Sequence, residues 1–284
     1  MLNNPSAELF YLPIIFLFAG TTALFLLVQL CLKRDNSWID TMWGLVFIIP
    51  NVAIWAIRGG DELTPRMLLI TIPVFVWGFR LATYIAIRHK SEDYRYKKMR
   101  EDWEAHGSCG YYIRAYMYVY FMQGFFSIVN NSSVLFVNLY SNKASDDLIV
   151  TDFIGLAIWM LGFAIEVGSD AQLANHLKNP QPGTGKFIRS GLWRYSRHPN
   201  YFGEAVMWWG LYIIACGEEL GWVTGYSALF ITLLIRFVSG VPFPEEKYAK
   251  NPEWQSYCRE TNVFCLWFYK TDTQQGESLK PAIK

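Results

Sequence analysis

The chain has 284 residues, of which 52% are hydrophobic and 17% aromatic, whereas only 17% are charged and the formal net charge is +1. This composition is too apolar for an ordinary soluble domain and predicts an all-α, polytopic membrane helical bundle. The five cysteines show neither CxxC pairs nor another metal-ligand spacing, so the sequence predicts no disulfide framework and no metal site. We also expect no nucleic-acid partner.

Seven apolar segments predict about seven transmembrane helices within a single domain that covers residues 1–284. Five segments reach the length of about 18–20 residues that crosses a bilayer, whereas the second and sixth are shorter and are expected to be tilted, joined to polar turns or partly re-entrant. The first segment has no basic region before it and no cleavage site after it, so we expect it to be retained as a span. The segments comprise residues 10–32, 42–57, 67–87, 115–137, 148–168, 201–216 and 222–240.

Basic residues are distributed unequally between the two sets of loops. Alternate loops, together with the chain after residue 240, contain twenty Lys and Arg residues, whereas the opposite loops contain only Arg58, Arg66 and Lys143. Because positively charged loops stay in the cytoplasm, the N-terminus is expected outside or in a lumen and the C-terminus in the cytoplasm. We expect a multi-pass protein of the endoplasmic reticulum in a eukaryote, or of the inner membrane in a bacterium. Residues 273–284 are predicted to be a disordered tail.

A few charged residues lie within the predicted spans. Each costs about 3 kcal/mol at a helix centre on insertion scales, so it normally faces a partner or a wet cavity. Arg80 shares a helical face with Trp77 and Tyr84, and Glu166 precedes Asp170 by one helical turn. Structural ion pairing explains these charges as well as a substrate cavity does. The intramembrane charges are Arg80, Glu166, Glu204 and Arg236.

The polar segment SGLWRYSRHPNYFGE, residues 190–204, leads directly into an apolar run. Pro199 is expected to open the sixth helix, because proline is favoured in the first helical turn. With that start, Asn200, Glu204 and Trp208 recur at intervals of four residues and therefore line one helical face. The pattern predicts an amide, a carboxylate and an aromatic ring on one cavity wall.

The same segment offers positive charge to an anion. A helix N-terminus presents free N–H groups, and arginine can bind phosphate through two hydrogen bonds. Arg197 and His198 are placed at the cavity mouth by their position next to Pro199. The upstream basic residues are explained equally well as ordinary residues of the cytoplasmic side. They are Lys178, Lys186, Arg189 and Arg194.

Several segments resemble, in order and approximate spacing, the steroid 5-alpha-reductase and sterol-reductase superfamily of integral membrane enzymes. Within it the chain is most similar to the branch of uncharacterised proteins that carry the reductase-like C-terminal domain. The core motif is specific for the superfamily but not for one reaction, since RHPxYxG also occurs in isoprenylcysteine carboxyl methyltransferases. The resemblance covers nearly the whole chain, and the segments that carry it are SWIDTMWG, VWGFRLATYIAIR, EDYRY, GSDAQL, SGLWRYSRHPNYFGE and YAKNPEWQSYCRETNVF.

The resemblance implies an NADPH-binding cavity that opens to the cytoplasm and serves to reduce a carbon–carbon double bond of a sterol-like lipid. The motifs that would bind the cofactor fall within residues 169–270. The glutamate and tyrosine that grip the steroid ketone in steroid reductases have no matching positions in the span segment VWGFRLATY, so a 3-oxo-steroid substrate does not follow. Carried over by motif, the positions around the nicotinamide and phosphates are Asp170, Arg197, His198, Asn200, Tyr201 and Glu204, with Tyr257 and Arg259 closing over the cofactor.

Alkene reduction requires a hydride donor about 3–3.5 Å from the acceptor carbon and an acid that completes the reaction. Tyr201 is the first choice for that acid, although a tyrosine at this depth is equally typical of the interfacial aromatic belt. Glu204 is the second catalytic candidate, and with Asn200 it could instead hold the nicotinamide carboxamide. The predicted substrate cavity comprises Arg80, Tyr84, Glu166 and Trp208.

Two other functions remain open at the level of sequence. An S-adenosylmethionine-dependent methyltransferase acting on a lipid or prenylated thiol is favoured by the pair Glu245 and Glu246. Those methyltransferases prefer serine and tryptophan where this chain has Asn200 and Glu204, and their cofactor has no phosphate to occupy the cations. A non-catalytic lipid-binding protein with the same fold is the third alternative.

Overall fold

The computed structural model describes residues 34–59, 63–141, 147–179 and 187–269. Within these ranges every regular element is helical and no strand occurs. The predicted first span at 10–32, the residue Lys186 and the predicted tail at 273–284 lie outside the described residues.

The described residues form two compact units. The first contains the residues up to Phe153 together with Leu211–Ser227, and the second contains Ile154–Gly210 together with the residues from Ala228. The prediction of a single membrane domain stays a prediction. The helices are α1 (Trp38–Arg58), α2 (Pro65–Arg88), α3 (Tyr94–Glu104), α4 (Gly107–Ala115), α5 (Met122–Asn130), α6 (Ser132–Tyr140), α7 (Val150–Lys178), α8 (Pro199–Ala215), α9 (Gly225–Leu234), α10 (Pro242–Tyr248) and α11 (Pro252–Glu260).

Four helical stretches are long and apolar enough to cross a membrane. They are α1, α2, α7 and the stretch Gly221–Tyr248 that contains α9 and α10, and they correspond to four of the seven predicted spans. The predicted span at 115–137 is helical but divided, and α8 is 17 residues long. The described structure therefore confirms an all-helical membrane protein, whereas seven spans and the terminal orientation stay predictions.

Buried amides connect helices of the first unit. The Asn138 side chain on α6 donates to Asn51 Oδ1 on α1 at 2.7 Å and to Thr71 Oγ1 on α2 at 2.8 Å. Trp55 Nε1 donates in turn to Asn138 Oδ1 at 2.9 Å. Because polar side chains among apolar helices need partners, this network fixes how the three helices meet.

A buried ion cluster forms where α2 and α7 begin. The Arg66 guanidinium lies 3.0 Å from Asp152 Oδ1 and 2.8 Å from Glu218 Oε1. The Arg66 and Asp152 side chains are 1% and 0% exposed, and the cluster is therefore removed from water. The sequence placed Arg66 in a loop and gave it no partner; the structure shows that it neutralises two carboxylates.

Glycines bring α7 and α8 of the second unit into backbone contact. A Cβ atom on Gly210 would stand 2.6 Å from the Gly155 carbonyl oxygen, and one on Gly162 would stand 2.6 Å from the Gly203 oxygen. The glycines are seven residues apart on each helix, which is close to two turns and puts both on one face. Their pairing order makes the helices antiparallel. Thus α8 lies along a candidate span although it is itself short.

We expect Gly203→Ala to destabilise the protein by about 1–3 kcal/mol, because the new methyl group would overlap the backbone of α7. Gly168→Ala is the matched control on α7, since its Cβ would meet only Leu192 Cδ1 at an ordinary 3.5 Å. The thermal midpoint of the detergent-solubilised protein measures both effects. Equal midpoints for the two variants would contradict the close backbone packing.

Candidate active site

The segment before α8 is built as a rigid loop. Gly191 has a φ of 61°, and a Cβ there would overlap the Gln172 side-chain amide at 2.5 Å, so only glycine fits without strain. The Ser196 hydroxyl donates to the Phe264 carbonyl at 2.6 Å and accepts from the His198 N–H at 3.1 Å. Pro199 begins α8, which confirms the helix start predicted from the sequence.

Glu245 on α10 is the centre of the most heavily hydrogen-bonded group in this region. Its two oxygens accept from Arg197 Nε at 2.8 Å and Nη2 at 3.1 Å, and Oε1 also lies 3.0 Å from His198 Nε2. Arg197 Nη1 donates to the Thr261 carbonyl at 2.5 Å. One buried guanidinium therefore fastens the loop to α10 and to the chain after α11.

His198 is almost completely buried beside this ion pair. Burial lowers the pKa of His198 below its ordinary value, because desolvation of the imidazolium outweighs the attraction of Glu245. The imidazole is accordingly neutral at physiological pH. Its ring stacks on Tyr201 with centroids 5.8 Å apart, so the histidine is in contact with the residue predicted to be the acid.

Helix α11 packs against the loop through Tyr257. The buried phenol donates to the carbonyl oxygens of Trp193 and Ser196, and burial raises its pKa. Its ring contacts Trp254, whose indole in turn lies against Phe187. In the structure Tyr257 joins α11 to the loop, and its predicted contact with a cofactor stays a prediction.

An amide and a carboxylate meet where α7 and α8 become polar. Asn200 Nδ2 lies 3.4 Å from Asp170 Oδ1, whereas Asn200 Oδ1 is inaccessible to water and has no hydrogen-bond partner among the described residues. Glu166 is buried one turn below Asp170, and Glu204 is half-buried one turn beyond Asn200. An acceptor without a donor is the feature expected of a site that receives a ligand N–H group.

The remaining predicted site residues are more dispersed. Lys178, Arg194 and Arg259 are exposed, and Arg189 is half-buried, 3.7 Å from Glu260. Trp208 is buried in the second unit. In the first unit the Arg80 guanidinium lies 5.2 Å from the Tyr84 ring centre. The structure thus brings together Asp170 with Asn200, and Arg197 with His198 and Tyr201.

Sequence reasoning missed the role of Glu245, which it considered only as a sign of a methyltransferase. A buried arginine requires a carboxylate partner, so the sequence could have indicated that Arg197 pairs with an acidic residue. Thr261 could not have been found, because it contributes a backbone carbonyl. Among the described residues there is no group of three His, Cys, Asp or Glu residues that could hold a metal ion.

The residues present fit a nicotinamide dinucleotide. The Asn200 oxygen without a donor matches the N–H of a carboxamide, and Arg194 and Arg259 are exposed cations of the type that binds phosphate. Arg197 is less available, because Glu245 and the Thr261 carbonyl occupy its guanidinium. Its predicted contact with a phosphate stays a prediction.

A family model described as "Protein of unknown function (DUF1295)" matches residues 25–261. The chain belongs to this family. The DUF1295 match covers most of the chain, and together with the relatives below it confirms the resemblance to the steroid 5-alpha-reductase and sterol-reductase superfamily.

Curated relatives of this DUF1295 chain include two named enzymes. The 3-oxo-5-alpha-steroid 4-dehydrogenase 1 of Bos taurus is 32% identical over 121 residues, which is 42% of this chain and 46% of that protein. The Delta(14)-sterol reductase of Ascobolus immersus is 32% identical over 117 residues, 37% of this chain and 26% of that protein. The chain therefore spans less than half of either enzyme.

A longer alignment relates the chain to an uncharacterised protein of Schizosaccharomyces pombe. The two are 26% identical over 219 residues, which is 66% of this chain and 61% of that protein. No solved structure matches the chain significantly.

Proposed function

We propose that the protein is an integral membrane reductase that uses NADPH to reduce a carbon–carbon double bond of a sterol-like or steroid-like lipid. The observation that carries the proposal is the Asn200–Asp170 pair, which leaves one buried amide oxygen without a donor at the start of α8. The named relatives support the reaction class, because one is a steroid dehydrogenase and the other a sterol reductase.

In this proposal the second unit holds the nucleotide. Asn200 accepts a hydrogen bond from the nicotinamide carboxamide while Asp170 fixes the orientation of its amide. Arg189, Arg194, Arg259, Lys178 and Lys186 supply positive charge for the phosphates, and Arg197 and His198 keep the loop in shape through Glu245. NADPH supplies a hydride when bound.

Tyr201 is proposed as the acid that completes the reduction. Its ring is aligned by the stacked His198 imidazole, and His198 is itself fixed by Glu245 at 3.0 Å. Glu204, half-buried on the next turn, is proposed to orient the reacting groups. The substrate would lie among apolar side chains of the spans, as a lipid requires. A multi-pass location with the loop on the cytoplasmic side, where NADPH is available, belongs to the same proposal.

Ligand-dependent thermal stability tests the cofactor. A nucleotide at one hundred times its dissociation constant stabilises a protein by about 2.7 kcal/mol, so the thermal midpoint of the detergent-solubilised protein should rise with NADPH. Asn200→Ala should weaken NADPH about tenfold, which corresponds to about 1.4 kcal/mol. Asn175→Ala, an exposed position on α7, should leave the affinity unchanged.

The other outcomes separate the alternatives. A rise with S-adenosylmethionine but not with NADPH would establish a methyltransferase and refute the reductase. No response to NADPH, NADH or S-adenosylmethionine would favour a lipid-binding protein without catalysis. If Asn200→Ala binds NADPH as tightly as the unmodified protein, the assignment of the amide is wrong even if the cofactor is right.

A further inference from the structure

Three large aromatic side chains of the second unit face outwards beyond its candidate spans. They are Tyr195, Trp267 and Phe268, and we call them the aromatic rim. Trp267 is 63% and Phe268 78% exposed, and both lie outside the four helical stretches long and apolar enough to cross a membrane.

The backbone that carries the aromatic rim is held in place. The Trp267 N–H donates to the Tyr195 carbonyl at 3.2 Å, so the two parts of the rim lie side by side. The Tyr269 hydroxyl donates to Glu260 at 2.9 Å. The backbone is held by these hydrogen bonds while the aromatic rings face outwards. This combination indicates a surface that contacts an apolar phase.

The position of the aromatic rim along α8 indicates which phase that is. Phe264, three residues before Trp267, packs edge-on against Phe202 in the first turn of α8, with ring centroids 5.8 Å apart. Helix α8 lies along α7, a candidate span, and both helices become polar at the level of Asn200 and Asp170. The aromatic rim therefore lies beside the point along α7 and α8 at which apolar residues are followed by polar ones.

Charge beside the aromatic rim suits a lipid headgroup. The Arg194 guanidinium lies 4.7 Å from the Tyr269 ring centre and is exposed, as is Arg259 on α11. Aromatic rings flanked by arginine are the composition that favours the boundary between headgroups and acyl chains, where rings enter the apolar region and cations meet phosphate.

We propose that the aromatic rim is a membrane-interface anchor, inserted into the headgroup region of the leaflet at the N-terminal end of α8. Its occupant is phospholipid, and the exposed rings of Trp267 and Phe268 lie at the boundary between its headgroups and acyl chains. The anchor ties the segment that follows α11 to the membrane surface. This inference does not depend on the proposed reductase activity.

Nitroxide accessibility tests the anchor in the full-length protein. Phe268→Cys is introduced after replacement of the native cysteines by serine, spin-labelled and reconstituted into phosphatidylcholine vesicles that contain a minority of phosphatidylglycerol. Oxygen concentrates in lipid and a nickel chelate stays in water, so a label in the interface should collide preferentially with oxygen. Gln255→Cys, exposed on α11, is the control and should prefer the nickel chelate.

Two results would overturn the proposal. A label at position 268 that matches the control would place the aromatic rim in water. Low collision rates with both reagents would show that protein, such as a second copy of the chain, covers the aromatic rim.

If the cysteine-free protein fails to fold, a second experiment uses the variant Trp267→Phe in the protein with its native cysteines. The quenching of total tryptophan fluorescence by lipids brominated near the headgroup should then decrease, and unchanged quenching would refute the anchor.

Discussion

Replacing Arg66 by methionine should destabilise the protein by about 3–5 kcal/mol, because two carboxylates would remain in a site without water or a counter-ion. Asp152 is fully buried and Glu218 almost so. Both accept hydrogen bonds from the Arg66 guanidinium, which also donates to the Asp147 carbonyl at 2.8 Å. No other basic side chain forms an ion pair with either carboxylate in the described part of the chain.

The loss is measured as a fall in the thermal midpoint of the detergent-solubilised protein, with chemical unfolding as an independent readout. Arg88→Met, at the exposed end of the same helix, should change stability by no more than about 0.5 kcal/mol. Arg66→Lys should fall between the two, since an ammonium keeps the charge but cannot reproduce the forked geometry. Equal effects of the two methionine variants would show that the buried cluster contributes nothing.

Glu245→Ala should cost a similar amount, about 3–5 kcal/mol, because it leaves the Arg197 guanidinium buried without a carboxylate. The same substitution removes the partner of His198 Nε2. The attachment of the loop before α8 to the chain after α11 should also loosen, because the guanidinium that donates to the Thr261 carbonyl loses the carboxylate that holds it in place.

Glu246→Ala is the natural control, because Glu246 is the next residue and is exposed. Limited proteolysis provides a local readout: cleavage between α11 and residue 269 should accelerate in Glu245→Ala and stay unchanged in Glu246→Ala. If Arg197 instead serves mainly to bind a phosphate, Glu245→Ala should preserve stability, and Arg197→Ala should reduce nucleotide affinity without loosening the C-terminal segment.

The helices of the membrane region could be largely predicted from apolar runs and boundary residues. The start of α2 illustrates this: the apolar run predicted from residue 67 belongs to a helix that begins two residues earlier, at Pro65, where Thr64 accepts a hydrogen bond from the Met67 N–H. The segment 115–137 was predicted as one span, whereas the structure contains a π-helical stretch, Tyr116–Phe121, and a turn at Asn131. Hydropathy detects an apolar run but not a change of helical register within it.

In the candidate site, too, features set by neighbouring residues could be predicted, whereas contacts between residues far apart in the chain could not. Pro199 as a helix start and Asn200 with Glu204 on one face follow from spacing alone. The Arg197–Glu245 pair joins residues 48 positions apart, and many carboxylates of the chain were equally eligible partners. In the structure Arg197 is buried against Glu245, whereas Arg194 in the same loop is exposed; the predicted contact of Arg197 with a phosphate stays a prediction.

The contact of α7 with α8 has a mechanical consequence. Where main chains touch at Gly155, Gly162, Gly203 and Gly210, no side chain can change rotamer to let one helix slide past the other. The two helices should therefore move together as one rigid element. A bulky hydrophobic molecule could therefore not pass between α7 and α8 without breaking this backbone contact.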